Sequence, residues 1–188
     1  FGESKEYWLR MADIYALGND AAASSAALKE ATRLAPQDHA LFYRLAQSYS
    51  SEKDAREAAA AIERAVELDP KNLEYLRTRA DLAAWRGDYA TALDSHRRIL
   101  ALAPDDAVAR LGIARVKYWQ SQLDDSKTAY LDYLAQQPNV AAPWMEYIVV
   151  VTELGDYARA MELLEDYRAK FGDNTAYRKQ KARVLAWA

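Results

Sequence analysis

Two histidines and no cysteine are the whole supply of conventional nucleophile-activating groups in this 188-residue chain. A catalytic nucleophile or general base needs a partner held within hydrogen-bond reach. His39 and His96 lack the i, i+4 spacing of a helical zinc motif. Without cysteine there is neither a thiolate metal site nor a disulfide. His96 falls in a column with Leu28, Ile62, Tyr130 and Leu164, so it reads as a packed helix residue. His39 stands at a helix start and reads as solvated. Asp and Glu are scattered as helix faces. The expectation is therefore no catalytic centre, no metal and no cofactor. The chemistry left is that of binding, for which Trp, Tyr and Arg are the usual interface anchors.

The elements that must position those anchors follow from a period. Pro36, Pro70, Pro104 and Pro138 stand 34 residues apart, and the next step lands on Gly172, another helix-stopping residue. The stretch from Leu73 to Pro104 is the pattern unit: helix, turn, helix. Gly87 can take the positive φ that ends the first helix, and Asp88 can cap the second. Aligned on the stops, Ala31, Ala65 and Ile99 share a column, as do Leu34, Leu68 and Leu102, and both columns are expected to be buried in second helices. Trp8, Phe42, Leu76 and Trp144 share a first-helix column, and so do Tyr15, Tyr49 and Leu185. A small-residue column of Ala12, Ala46, Ala80, Ala114 and Ala182 marks where two helices approach closely. The units are 5–36, 37–70, 71–104, 105–138 and 139–172, with 173–188 the first helix of a truncated sixth.

Composition limits the partner class. With 51% hydrophobic residues the chain has ample material for a core, and a net charge of -3 argues against nucleic acid as the main ligand. No apolar run approaches the roughly 20 residues needed to cross a bilayer. Zero cysteine is compatible with an oxidising compartment. The opening at Phe1-Gly2 and the stop within a helical pattern at Ala186-Trp187-Ala188 read as the bounds of a fragment.

These columns resemble the tetratricopeptide repeat (TPR) family, whose 34-residue unit carries an aromatic, small residues and a closing Pro. The resemblance implies an all-α fold, a right-handed TPR superhelix (α-solenoid) whose first helices line the concave side. At the turn, Asn19 replaces Gly acceptably, whereas Lys53 and Ser121 leave the tightness of those two turns open.

Family geometry then implies a concave partner-binding face bearing Tyr43, Arg77, Asp81, Trp85, Arg115, Tyr118, Trp119, Lys179, Arg183 and Trp187. Trp85, Trp119 and Trp187 share one register. They either form an aromatic track for a ligand or fold over the next unit and seal the seam between repeats. The charged columns divide similarly, with internal pairing such as Asp81 to Arg115 set against ligand contact. From Asn174 onward there are four basic residues, Arg178, Lys179, Lys181 and Arg183, and no acid, and they either pack against Glu162, Glu165 and Asp166 or meet an acidic partner. Some TPR proteins clamp an acidic peptide C-terminus, but Asp13, Gln47 and Asp81 occupy the corresponding columns here and would repel it.

The segments 84–90, 111–119 and 183–187, with their Ala-Trp and Tyr-Trp pairs, are similar to the periplasmic TPR regions of bacterial exopolysaccharide export proteins. That resemblance implies a scaffold docking a periplasmic polysaccharide-modifying enzyme, such as a deacetylase or hydrolase, in the periplasmic portion of an outer-membrane protein. The alternatives are a groove that binds polysaccharide directly and a cytoplasmic location.

Overall fold

Five turns at one register organise the computed structural model, which describes residues 4–51 and 53–188; Phe1, at the expected fragment boundary, and Gly2, Glu3 and Glu52 lie outside the described residues. The left-handed residue is Asn19 (φ 55°), Lys53 (62°), Gly87 (77°), Ser121 (58°) and Gly155 (79°). In each turn this residue's amide donates to the carbonyl three residues back, and the next amide reaches the carbonyl five back. At Ser121 these bonds are 2.8 Å to Tyr118 and, from Gln122, 3.0 Å to Lys117. This double closure satisfies carbonyls at the helix end. Lys53 and Ser121 thus turn as tightly as the glycines. The closing bonds and the packing of the flanking helices outweigh a left-handed cost of about 1–2 kcal/mol.

Ser121→Gly is accordingly expected to raise stability by up to about 1 kcal/mol, since relief of the left-handed strain exceeds the added freedom of the unfolded chain. A higher urea midpoint checks this, and a lower one contradicts it.

Among the described residues the chain is all-helical. The hairpins are α1 (Lys5–Leu17) with α2 (Ala21–Leu34), α3 (His39–Ser51) with α4 (Ala55–Leu68), and α5 (Leu73–Trp85) with α6 (Tyr89–Leu102). They continue with α7 (Ala107–Trp119) and α8 (Leu123–Gln136), α9 (Ala141–Glu153) and α10 (Tyr157–Phe171), then α11 (Thr175–Trp187). Asp20, Asp54, Asp88 and Asp156 cap second helices by accepting from Ala23, Glu57, Thr91 and Arg159 amides. Gln122, at the same register, makes no such bond.

The chain divides into two compact units, Phe1–Leu102 and Ala103–Ala188. In the first, fully buried Ala12, Ala46 and Ala80 lie on first helices, and Leu28, Ile62, Ala31, Ala65 and Ile99 complete the core from second helices. His96 is also buried there. In the second, Ala114, Tyr130, Ile148, Leu164 and Val184 form the centre. The small column permits close approach: Ser24 and Ser126 hydroxyls donate across to the Ala12 and Ala114 carbonyls at 3.1 and 2.9 Å. Two expectations need correcting. Leu34 and Leu102 lie at helix ends and are 41% and 42% exposed. Ala182, on a helix with no hairpin partner among the described residues, is exposed.

Candidate partner-binding face

The first helices carry a polar rung from each to the next within a unit. In the first unit Arg44 of α3 pairs with Asp13 of α1. Tyr43 donates to Glu74 of α5 at 2.8 Å, and its ring lies 4.8 Å from that of Tyr75. His39, read from the sequence as solvated, shares a 2.8 Å hydrogen bond with the Tyr75 hydroxyl. Two turns further along α5 from Arg77, which is half-buried, Trp85 is 67% exposed. Asp81 is exposed as well, and together with Trp85 it lines a cleft of about 340 Å³ with Ser50, Lys53, Ala55, Thr78 and Leu82.

The second unit repeats the Asp13–Arg44 rung with the charges exchanged. Arg115 of α7 forks onto Glu146 of α9, Nε to Oε2 at 2.9 Å and Nη2 to Oε1 at 2.7 Å. The buried Tyr130 of α8 donates to the same Oε2 at 2.9 Å. Tyr118, Trp119 and Val149 complete a cleft of about 250 Å³ over this cluster. Glu146 holds the Arg115 guanidinium above its usual pKa. Burial first, and then the Glu146 carboxylate, pushes the Tyr130 phenol far up.

That shift has a sign. A phenol whose folded pKa is raised contributes stability below its unfolded pKa of about 10, and this is lost as pH rises because only the unfolded chain gives up the proton. Tyr130→Phe therefore costs about 1 kcal/mol at neutral pH. It also flattens the alkaline decline by up to about 1.4 kcal/mol per pH unit. Urea titrations at several pH values from below to above about 10 check it, and an unchanged slope above about 10 contradicts it.

One rung further, Glu153 of α9 accepts from the Tyr118 hydroxyl at 2.8 Å and from Arg183 of α11 at 3.4 Å. The Arg183 guanidinium lies 4.3 Å over the Trp187 ring, where cation and π face attract. Lys179 is exposed. The basic run on α11 is largely answered internally, by Lys181 to Glu165 at 2.8 Å and Arg178 to Asp173 at 2.7 Å.

Arg115, Tyr118 and Trp119 are thus brought together, and Arg183 and Trp187 form a second cluster through Glu153. Arg115 is paired internally, with Glu146. Glu146, Tyr130 and Glu153 were missed as members of the face. Their pairs span 31 residues (Arg115 to Glu146), 16 (Tyr130 to Glu146), 35 (Tyr118 to Glu153) and 30 (Arg183 to Glu153), off the 34-residue columns. Trp85, Trp119 and Trp187 keep 67%, 48% and 47% of their surfaces open. Among the described residues no group of three His, Cys, Asp or Glu could hold a metal. No helix there is long and apolar enough to cross a membrane.

Family models for the tetratricopeptide repeat match residues 5–38, 39–72 and 86–145, more than half of the chain together. The chain belongs to the tetratricopeptide repeat family. Its fold is shared with solved TPR solenoids. MamA superposes with a TM-score of 0.78 at 16% identity, covering 97% of this chain and 96% of that one. YrrB, described as a TPR protein with an unusual peptide-binding site, gives 0.77 at 17% identity, covering 96% and 93%. PilF of Pseudomonas aeruginosa gives 0.68 at 14% identity, covering 98% and 84%. No curated protein matches the chain in sequence. TPR repeats generally serve as protein-interaction scaffolds and are typically non-catalytic.

Proposed function

We propose that this TPR chain is a non-catalytic docking scaffold whose first-helix face grips a segment of a protein partner. The observation that carries this is the cleft at Trp119. A half-exposed indole, Tyr118 and Val149 surround a space suited to one bulky apolar side chain, while the charges beneath are already matched by the Arg115–Glu146 fork. An aromatic anchor in such a setting supplies about 2–4 kcal/mol of binding. The peptide-binding site ascribed to YrrB supports the same class of ligand.

The specific partner we propose is a periplasmic polysaccharide-modifying enzyme, a deacetylase or hydrolase, within a bacterial exopolysaccharide export machine. The chain would then be the periplasmic portion of an outer-membrane protein. The Trp-bearing segments at 84–90, 111–119 and 183–187 support this assignment. In the test, the chain captures its partner and Trp119→Ala weakens capture at least about 30-fold with the helical circular dichroism spectrum unchanged. Undiminished capture by that variant overturns the proposal.

A second reading has its own support. Trp85 presents an open ring beside Asp81, and sugar C–H faces stack on such rings while carboxylates hold hydroxyls. Direct polysaccharide binding predicts tryptophan fluorescence changes with soluble oligosaccharides. A flat titration across several sugar classes removes it.

A further inference from the structure

Of the charges at the register of Asp13 and Arg115, one is left without an ion pair among the described residues. Asp13 and Arg115 occupy the same register of their helices as Asp81, and each is paired, with Arg44 and Glu146 respectively. Asp81 makes no ion pair among the described residues, and Gly112, which stands 31 residues on as Arg44 and Glu146 stand from Asp13 and Arg115, carries no side chain to answer it. Beside Asp81 the Trp85 ring is the most exposed indole of the first-helix face.

We infer that the cleft of Asp81 and Trp85 takes a basic side chain, lysine or arginine, from the docked partner. The inference rests on the docking role proposed above and adds the chemistry of one contact.

Three features favour a cation there. Asp81 supplies a full negative charge at the rim. The cleft also lies at the C-terminal ends of α3 and α5, through Ser50 and Trp85, where the helix dipoles are negative. The opposing positive end of α4 at Ala55 is already met by Asp54, whose carboxylate accepts from the Glu57 amide. Finally, the Trp85 face attracts a cation electrostatically.

The walls suit the rest of such a side chain. Leu82, Ala55 and Trp85 match an aliphatic stem, with its charged head free to reach Asp81 and the Thr78 and Ser50 oxygens. An acidic or phosphorylated side chain meets Asp81 and is repelled. Among the described residues that line the cleft, the opposing group is Lys53, on an exposed turn. Its removal should strengthen the site, a sign that a bystander residue would not give.

The test uses the whole chain and end-blocked tripeptides Lys-Leu-Lys and Arg-Leu-Arg. The controls are the bis-acetyllysine and Glu-Leu-Glu counterparts. The Trp85 indole N–H resonance, assigned by its loss in Trp85→Phe, reports occupancy. The basic peptides should shift it saturably and the controls should not, with affinity falling as salt rises. Asp81→Asn should weaken binding at least about fivefold, and Lys53→Gly should tighten it. Equal shifts with acetyllysine, or no effect of Asp81→Asn, overturn the inference. So does a neutral oligosaccharide that shifts Trp85 equally in the Asp81→Asn variant. If the basic peptides fail while Trp119-dependent capture persists, the inference falls and the docking role stands. Loss of that dependence removes both.

Discussion

Glu146→Ala is expected to destabilise the second unit by about 3 kcal/mol. The carboxylate accepts three hydrogen bonds, two from the Arg115 fork and one from Tyr130, whose hydroxyl is otherwise buried. Hydrogen bonds to a charged group contribute about 1.5–3 kcal/mol, and an orphaned buried hydroxyl costs about 1–3 kcal/mol. Arg115 remains 40% exposed, so water recovers part of its loss, which keeps the expected figure below the sum. Glu146→Gln retains an acceptor for Tyr130 and should cost less than half as much. Hydrogen exchange at α7 to α11 under increasing urea resolves the two variants. Equal effects, or none, would mean that the cluster does not hold these helices together.

Arg79→Ala should cost the first unit about 2–3 kcal/mol. Arg79 of α5 donates to Glu63 of α4 at 2.7 Å, and to Asp94 and Ser95 of α6 at 2.7 and 3.0 Å. Its side chain is only 14% exposed. It ties three helices with charge-assisted bonds, although its two carboxylate partners are about half exposed and rehydrate when it is removed. Burial opposes its charge, but Glu63 and Asp94 prevail and hold its pKa above the usual value. Arg79→Met should recover the part due to the packed stem. If alanine and methionine prove equally harmful, the charge carries the effect. If alanine is harmless, Arg79 is a surface pair of little consequence.

The period was legible because it is written twice, in the prolines that stop second helices and in the column of alanines at the helix crossings. Neither signal depends on distant contacts. The left-handed turns show the limit of residue preference: Lys53 and Ser121 resist that conformation individually, yet each takes it because both helices beside it are fixed by packing. Side-chain pairing was less legible. Columns at 34 residues align equivalent positions, whereas Arg115 to Glu146 and Tyr43 to Glu74 join different positions on neighbouring first helices. Tyr130 could be placed in the core from its column, but a column carries no information about a hydroxyl reaching Glu146. Exposure of the three tryptophans was likewise undecided, because a ring near a helix end can fold either way.

The docking role is tested most directly by oxidative footprinting of side chains in the complex with the captured partner. Protection should fall on Trp119, Tyr118 and Trp85 of the first helices, while exposed Leu131 on the second helix α8 stays as reactive as in the free chain. Protection of Leu131 with Trp119 still fully reactive would place the partner on the opposite surface and contradict the account.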